Sequence, residues 1–476
     1  MRYISTRGES PAVSFFDAVL AGLAPDGGLY VPEAWPTELN DAEFRRQSAT
    51  SHFVYTALHA LRAFAGDDLT YVEAGALVNE AYIRAPARDE DAHWSPPWPE
   101  AVTPLVQIGP GDFVLELFHG PSLSFKDVAM QLIGPLYEFA LQKRDKRLSV
   151  VCATSGDTGG AAVEALKGRE RVDLFVLLPK GRVSDVQRYF MTASGAPNVH
   201  ALEIDGDFDA CQALVKAMFA DSVFAHSASL SGVNSINWAR IVAQSVYFHV
   251  AANVLSGPGP VNFAVPTGNF GDAFSGFAAK SMGAPIGRIL MATNANDILS
   301  RALATGRYER AAQSSATLSP AMDIQVASNF ERILFEALGR DGAAVRRLYD
   351  QFAQSGGFDI PAPALAMLRA HFDAAAVTDA ETLGGMTNWD YPGDPHTAVA
   401  LYARTKIISP ATGPHVTLAT AHPAKFPETM ERATGKRPGL PEKSGDLLSR
   451  PESIHALPNE LQAVKDYIRA HSRAWS

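Results

Sequence analysis

SVVCATSGDTGGAAVEALKG, residues 149–168, passes from an apolar run, through a glycine-bearing junction, into an alanine-rich amphipathic segment. The first five residues read as a strand, Ser155-Gly156-Asp157-Thr158-Gly159-Gly160 as a strand-to-helix junction, and AAVEAL as the opening of a helix. The same alternation runs through most of the chain. Short runs rich in Val, Leu and Phe lie at 113–118, 149–154, 174–179, 199–204, 262–267 and 288–293, with a late one, VTLATA, at 416–421. Helical patterns such as DVAMQLIGPLYEFAL, SDVQRYFMTASG and ARIVAQSVYFHVAANVL separate most of them. Continuous apolar strands alternating with helices predict parallel sheets covered on both faces. The stretch is too long for one sheet, and Ser256-Gly257-Pro258-Gly259-Pro260 divides it. Two α/β lobes are expected, with a hinge candidate at that segment.

Outside this core, residues 1–95 read as mostly helical, with a turn at Asp26-Gly27-Gly28. Pro96, Pro97, Pro99, Pro104 and Pro110 mark a boundary after it. Residues 295–390 look largely helical, and the tail from about 430 is polar and helical. The chain has 476 residues, 47% of them hydrophobic, enough for several cores. A net charge of −10 argues against a general nucleic-acid or anionic-membrane surface. Two cysteines, Cys152 and Cys211, give neither a disulfide framework nor a metal set, which points to a reducing cytosol. The N-terminus lacks an apolar core of signal-peptide length, and no run reaches the ~18–20 apolar residues of a membrane span. A soluble, cytoplasmic, multi-domain protein is expected, without nucleic-acid or membrane partners.

Four segments carry candidate chemistry. HGPSLSFKDVAM (119–130) places Lys126 among Leu123, Phe125, Val128 and Met130. Desolvation lowers the pKa of a lysine, and a neutral amine forms Schiff bases. A snorkelling surface lysine would look the same in isolation. At 153–160, hydroxyls and backbone N–H groups of Ser155, Gly156, Asp157 and Thr158 suit a carboxylate or phosphate, although a plain turn capped by Asp157 or Thr158 fits the spacing too. PTGNFGDAFSGF (266–277) sets Gly268, Asn269, Phe270 and Gly271 in a tight loop before a helix, where the backbone approaches an anion closely. It matches neither a Walker loop nor GxGxxG, and Asp272 is an odd neighbour for a phosphate unless it caps the helix. ATAHPAKFPE (419–428) puts Thr420, His422 and Lys425 at a strand mouth, or simply ends the strand at Pro423. Lys180, Arg182 and Arg188, with Arg240, are candidates for a second anion, or solvated charges. No HExxH, clustered Cys/His set or GxSxG elbow is present.

In order along the chain, DGGLYVP, HGPSLSFKD, TSGDTGG, NSINWAR (234–240), PTGNFGD, DPHTA (394–398) and ATAHPAKF resemble threonine synthase, a pyridoxal-phosphate (PLP) family of the tryptophan-synthase β-like fold, also called PLP fold type II. The likeness runs from about residue 5 to about residue 435, in the manner of the longer microbial and fungal branch. It implies a larger PLP-binding α/β lobe from residues 96–145 and 255–440, with a helical insertion at 295–390. A smaller α/β lobe would span 146–254, between an N-terminal region at 1–95 and a helical tail at 441–476.

The resemblance also implies roles. Lys126 would hold the pyridoxal as a Schiff base and act as the catalytic base. Gly268, Asn269, Phe270 and Gly271 would cradle its phosphate, and Thr420 would face the pyridine nitrogen. Ser155, Gly156, Asp157 and Thr158 would meet the amino-acid end of the substrate. Lys180, Asn237 and Arg240 would meet the substrate phosphate. Asp157 stands where many relatives of the wider fold carry Asn, which leaves the partner of the ring hydroxyl open. The implied reaction takes O-phospho-L-homoserine and water to L-threonine and phosphate, by γ-elimination and β-addition of water, in the last step of threonine biosynthesis. A serine or threonine dehydratase, an O-phosphohomoserine phospholyase, or a non-enzymatic ligand-binding protein on the same fold are the alternatives. A monomer or homodimer is expected.

Overall fold

The computed structural model describes residues 1–83, 98–257, 259–407 and 412–475. The expected boundary at Pro96 and Pro97, and Pro258 of the hinge candidate, lie outside the described residues.

Two larger sheets organise the described chain. The first has the strand order Phe372–Ala376, Ile286–Thr293, Val261–Pro266, His415–Ala419, Asp112–Glu116, Leu105–Gly109. Its neighbours are parallel except for the edge pair Leu105–Gly109 with Asp112–Glu116, which is antiparallel. The second has the order His455–Leu457, Val199–Ile204, Val172–Pro179, Leu148–Ala153, Leu230–Ser231, parallel throughout. Val261–Pro266 and Val172–Pro179 are buried at every position, as expected of central strands with helices on both faces. The strands expected from the apolar runs all form. Four others do not show in those runs, the short Leu230–Ser231 among them. Leu105–Gly109 lies inside the proline-rich stretch, and Phe372–Ala376 lies in the stretch expected to be largely helical. His455–Leu457 lies in the polar tail and pairs with the second sheet, so the tail is not wholly helical.

The N-terminal region is held from both sides. Tyr3–Ser5 pairs antiparallel with Tyr30–Pro32. The helix Ala42–Ala65 packs on the buried helix Trp238–Leu255. The buried Arg332 guanidinium donates to the Tyr30 carbonyl (3.0 Å) and the Ile236 carbonyl (2.6 Å), joining this region to the segment that precedes Trp238. Residues 19–23 are thereby set against the mouth of the central cavity.

Candidate active site

A cavity of about 560 Å³ lies at the carboxyl ends of the strands, where helix N-termini converge. Lys126, Asp157, Thr158, Arg240, Gly268, Asn269, Gly271 and Thr420 all line it.

Lys126 is the first residue of the helix Lys126–Arg144. The turn before it is shaped by Asp127, whose carboxylate accepts from the Ser122 N–H (2.9 Å), the Ser122 hydroxyl (2.7 Å) and the Ser124 N–H (3.3 Å). The segment after strand His415–Ala419 is laced to this turn. Phe125 N–H donates to the Thr420 carbonyl (2.8 Å), and His422 N–H donates to the Leu123 carbonyl (3.0 Å). Thr420 is thus brought beside Lys126. Burial pushes the Lys126 amine below its ordinary range; Asp157 opposes that, and the nearby Arg240 and Lys425 reinforce it.

Asp157 opens the helix Asp157–Leu166 beyond the second sheet. Thr154 builds its loop, its hydroxyl accepting from the N–H groups of Gly156 and Gly159, each at 2.9 Å. Gly156 has φ 140°, and a Cβ there would meet the Gln187 side chain at 2.5 Å. One carboxylate oxygen of Asp157 stands 3.4 Å from the Lys126 amine; the other meets Lys425 and Gln187, each at 2.8 Å. Burial opposes charge on Asp157, but Lys425 and then Lys126 hold its carboxyl far below the usual range.

The loop 267–271 leads into helix Gly271–Ser281, with Phe270 in the left-handed region at φ 65°. The N–H groups of Gly268, Asn269, Phe270 and Gly271 have no acceptor among the described residues, whereas that of Asp272 meets its own carboxylate. Four convergent donors at a helix N-terminus form a cradle for a phosphate. The Asp272 carboxylate accepts from the Thr267 hydroxyl (2.5 Å) and the Ala273 N–H (2.8 Å), and burial pushes its carboxyl up. A Cβ on Gly268 would come within 2.9 Å of Ile324 and 3.2 Å of the Met322 backbone.

Arg240 makes no ion pair among the described residues, although only 3% of it is exposed. Its Nε has no acceptor among the described residues, and burial lowers its pKa to about 10. A buried, unpaired guanidinium at a cavity wall requires an anion from outside the chain.

The other expected site residues lie elsewhere. Ser155 and Gly156 flank the cavity without lining it. Phe270 is buried behind the loop, against Phe330 and Phe372. Asn237 caps helix Trp238–Leu255 through Ala239 N–H (3.0 Å), and its amide nitrogen meets the carbonyls of Val19 (2.8 Å) and Gly232 (3.2 Å). Asn237 is therefore a structural tie, and its neighbours Asn234 and Ser235 line the cavity instead. Lys180 and Arg182 are exposed and do not line it, and Arg188 pairs with Glu452 and Asp185.

Sequence reading missed Gln187, Gln244, His396 and the role of Lys425. His396 lines the cavity with both nitrogens engaged, Nδ1 with Asp394 (2.7 Å) and Nε2 accepting from Ala321 N–H (3.2 Å). The DPHTA segment carried that signal, since Asp394 caps the helix two residues before His396. The groups fit PLP: a buried amine, a phosphate cradle, and Thr420 at the cavity wall, whose hydroxyl has no partner among the described residues.

Family comparison agrees with this geometry. Residues 2–82 match the threonine synthase N-terminal model, residues 99–387 the pyridoxal-phosphate-dependent enzyme model, and residues 397–468 the threonine synthase C-terminal model. Threonine synthase of Pseudomonas aeruginosa is 44% identical over 477 residues, covering 99% of this chain and 98% of that protein. The chain belongs to the threonine synthase family. Threonine synthase of Saccharomyces cerevisiae is 38% identical, covering 90% of this chain and 88% of that protein. The crystal structure of PLP-bound threonine synthase from Brucella melitensis superposes with a TM-score of 0.92 at 49% identity, covering 100% of both chains. Like other threonine synthases, the chain is a PLP-dependent enzyme of the type II fold.

Proposed function

We propose that this chain converts O-phospho-L-homoserine and water into L-threonine and phosphate, and that Lys126 is the amine that holds PLP. The carrying observation is that one cavity gathers Lys126, a four-donor phosphate cradle and a second cationic group, Arg240, without an ion pair among the described residues. Two separate anion sites beside one amine suit a phosphorylated cofactor together with a phosphorylated substrate.

Gly268, Asn269, Phe270 and Gly271 hold the cofactor phosphate through backbone N–H groups, and Thr420 offers its hydroxyl to the ring nitrogen. When bound, PLP supplies an electron sink for negative charge formed on the substrate's carbons. Asp157 and Thr158 stand at the amino-acid end of the substrate, with Ser155 and Gly156 shaping that loop. Arg240, with Asn234 and Ser235, holds the substrate phosphate. Lys126, once its amine is free, takes a proton from Cα and then from Cβ. The Cγ–O bond breaks and phosphate leaves with the electron pair; one of the two protons goes to Cγ and the other to the phosphate, and as the oxygen of water bonds to Cβ its O–H bond breaks and that proton returns to Cα. Phe125, Val215, Phe219 and Met322 on the cavity wall limit bulk water near these transfers.

The two sheets with their helices are the two lobes of this reading, about 96–145 with 255–440, and 146–254. Two free, buried cysteines accord with a cytoplasmic setting, and a monomer or homodimer accords with the catalytic groups lying in one chain. Incubation of the purified holoenzyme with O-phospho-L-homoserine tests the reading. Threonine with stoichiometric phosphate is expected; 2-oxobutyrate and ammonia would assign a lyase of the same fold instead.

A further inference from the structure

Lys425 is 1% exposed and sits on the short turn Pro423–Lys425. Its amine touches the Ser122 carbonyl (2.8 Å), in the turn before Lys126, and the Asp157 carboxylate (2.8 Å), beyond the other sheet. Its own carbonyl accepts from the Ser184 hydroxyl (3.2 Å), next to the helix that carries Gln187. One residue, through its side chain and its carbonyl, thus joins three segments around Lys126. Gln187 and Lys425 share the same Asp157 oxygen, leaving the other, at the longer 3.4 Å, for Lys126.

We infer that Lys425 is a positioning residue that takes up the charge of Asp157, so that the carboxylate orients the Lys126 amine without locking it as an ammonium ion. The inference rests on the reading of Lys126 as the cofactor-holding amine. A buried carboxylate facing a single lysine makes a simple ion pair and favours the protonated amine. Two lysines around one carboxylate leave the group net positive, and the second lysine then favours the neutral form of the first. The charged groups facing Lys126 are Asp157, Arg240, Lys425 and Asp272; Lys425 also faces Asp127, and Asp157 faces His396. Of these, Lys425 and Lys126 alone ion-pair with Asp157 among the described residues.

The test uses cofactor-free full-length protein, PLP and borohydride over a pH series, with the pyridoxylated Lys126 peptide quantified by mass spectrometry. Lys425→Met is expected to move the labelling inflection up by about one pH unit, and Lys425→Arg to leave it within about a third of that. An inflection in folded K425M coincident with the unmodified protein overturns the inference. If K425M does not fold, Asp157→Asn and the double variant D157N/K425M make the same comparison: the inflection of the double variant lies above that of D157N, and coincidence overturns the inference. Lys126→Ala separates the two claims. Loss of specific labelling there with an unmoved K425M removes only the role of Lys425, whereas undiminished labelling in K126A removes the cofactor reading itself.

Discussion

Arg240 and Gln244 stand one turn apart on the helix Trp238–Leu255; both are almost wholly buried, both line the central cavity, and each has a side-chain N–H without an acceptor among the described residues. Buried donors are normally satisfied, and leaving one unmade costs about 1–3 kcal/mol. Two such donors on one helix face, aimed at one space, describe a ligand's position.

Arg240→Gln is expected to raise the KM for O-phospho-L-homoserine by about tenfold to about a hundredfold, the value of a charge-assisted hydrogen bond. The thermal midpoint of the cofactor-free protein should hold or rise, because an unpaired buried charge is removed. Steady-state kinetics and a melting curve check both; a fall in stability with KM unchanged would make Arg240 structural.

Asn237 is expected to behave in the opposite way. Asn237→Ala removes a helix cap and leaves the carbonyls of Val19 and Gly232 without that donor. The loss should be about 2–3 kcal/mol, seen as a lower melting midpoint, with KM unchanged in the folded fraction.

The glycine loop admits a sharper change. In Gly268→Ala the new methyl meets Ile324 and the Met322 backbone, so the loop must shift. PLP affinity of the cofactor-free protein should fall about tenfold, equivalent to about 1.4 kcal/mol, while secondary structure is retained. Fluorescence titration with PLP and far-UV circular dichroism together check this.

His249 governs a pH effect. Burial lowers its pKa to about 3, and neither ring nitrogen has a hydrogen-bond partner among the described residues. Between the unfolded value near 6.5 and about 3, the unfolded chain binds a proton that the folded chain does not. Stability must therefore fall as pH falls through that window, and be unaffected by this group above it. His249→Leu should hold or raise the melting midpoint at pH 7.5 and flatten its decline between pH 6.5 and 4. A decline as steep as that of the unmodified protein would refute the assignment.

The parallel strands were legible because buried central strands are runs of Val, Leu and Phe; Val172–Pro179 and Val261–Pro266 are of this kind. Phe372–Ala376, with sequence FDAAA, lacks β-branched residues and becomes a strand only by pairing with Ile286–Thr293. Lys126, Gly268 and Thr420 were legible because strand-to-helix junctions fix where side chains and N–H groups point. Asn237 misled because an asparagine before a helix serves equally as a cap or as a ligand group, and its partners in the N-terminal region lie over 200 residues away in sequence. Lys425 was illegible as a site residue because only the meeting of the two sheets brings it to Asp157, and Gln187 because its helix meets that of Asp157 only through the pairing of Leu148–Ala153 with Val172–Pro179.

The most direct test of the central claim is turnover of O-phospho-L-homoserine by the holoenzyme in ¹⁸O-labelled water, with mass analysis of both products. Elimination breaks the Cγ–O bond, and water then enters at Cβ. The account predicts one labelled oxygen in the threonine hydroxyl and none in the released phosphate, with Lys126→Ala inactive. Label in phosphate, with homoserine as the organic product, would show P–O cleavage and contradict it.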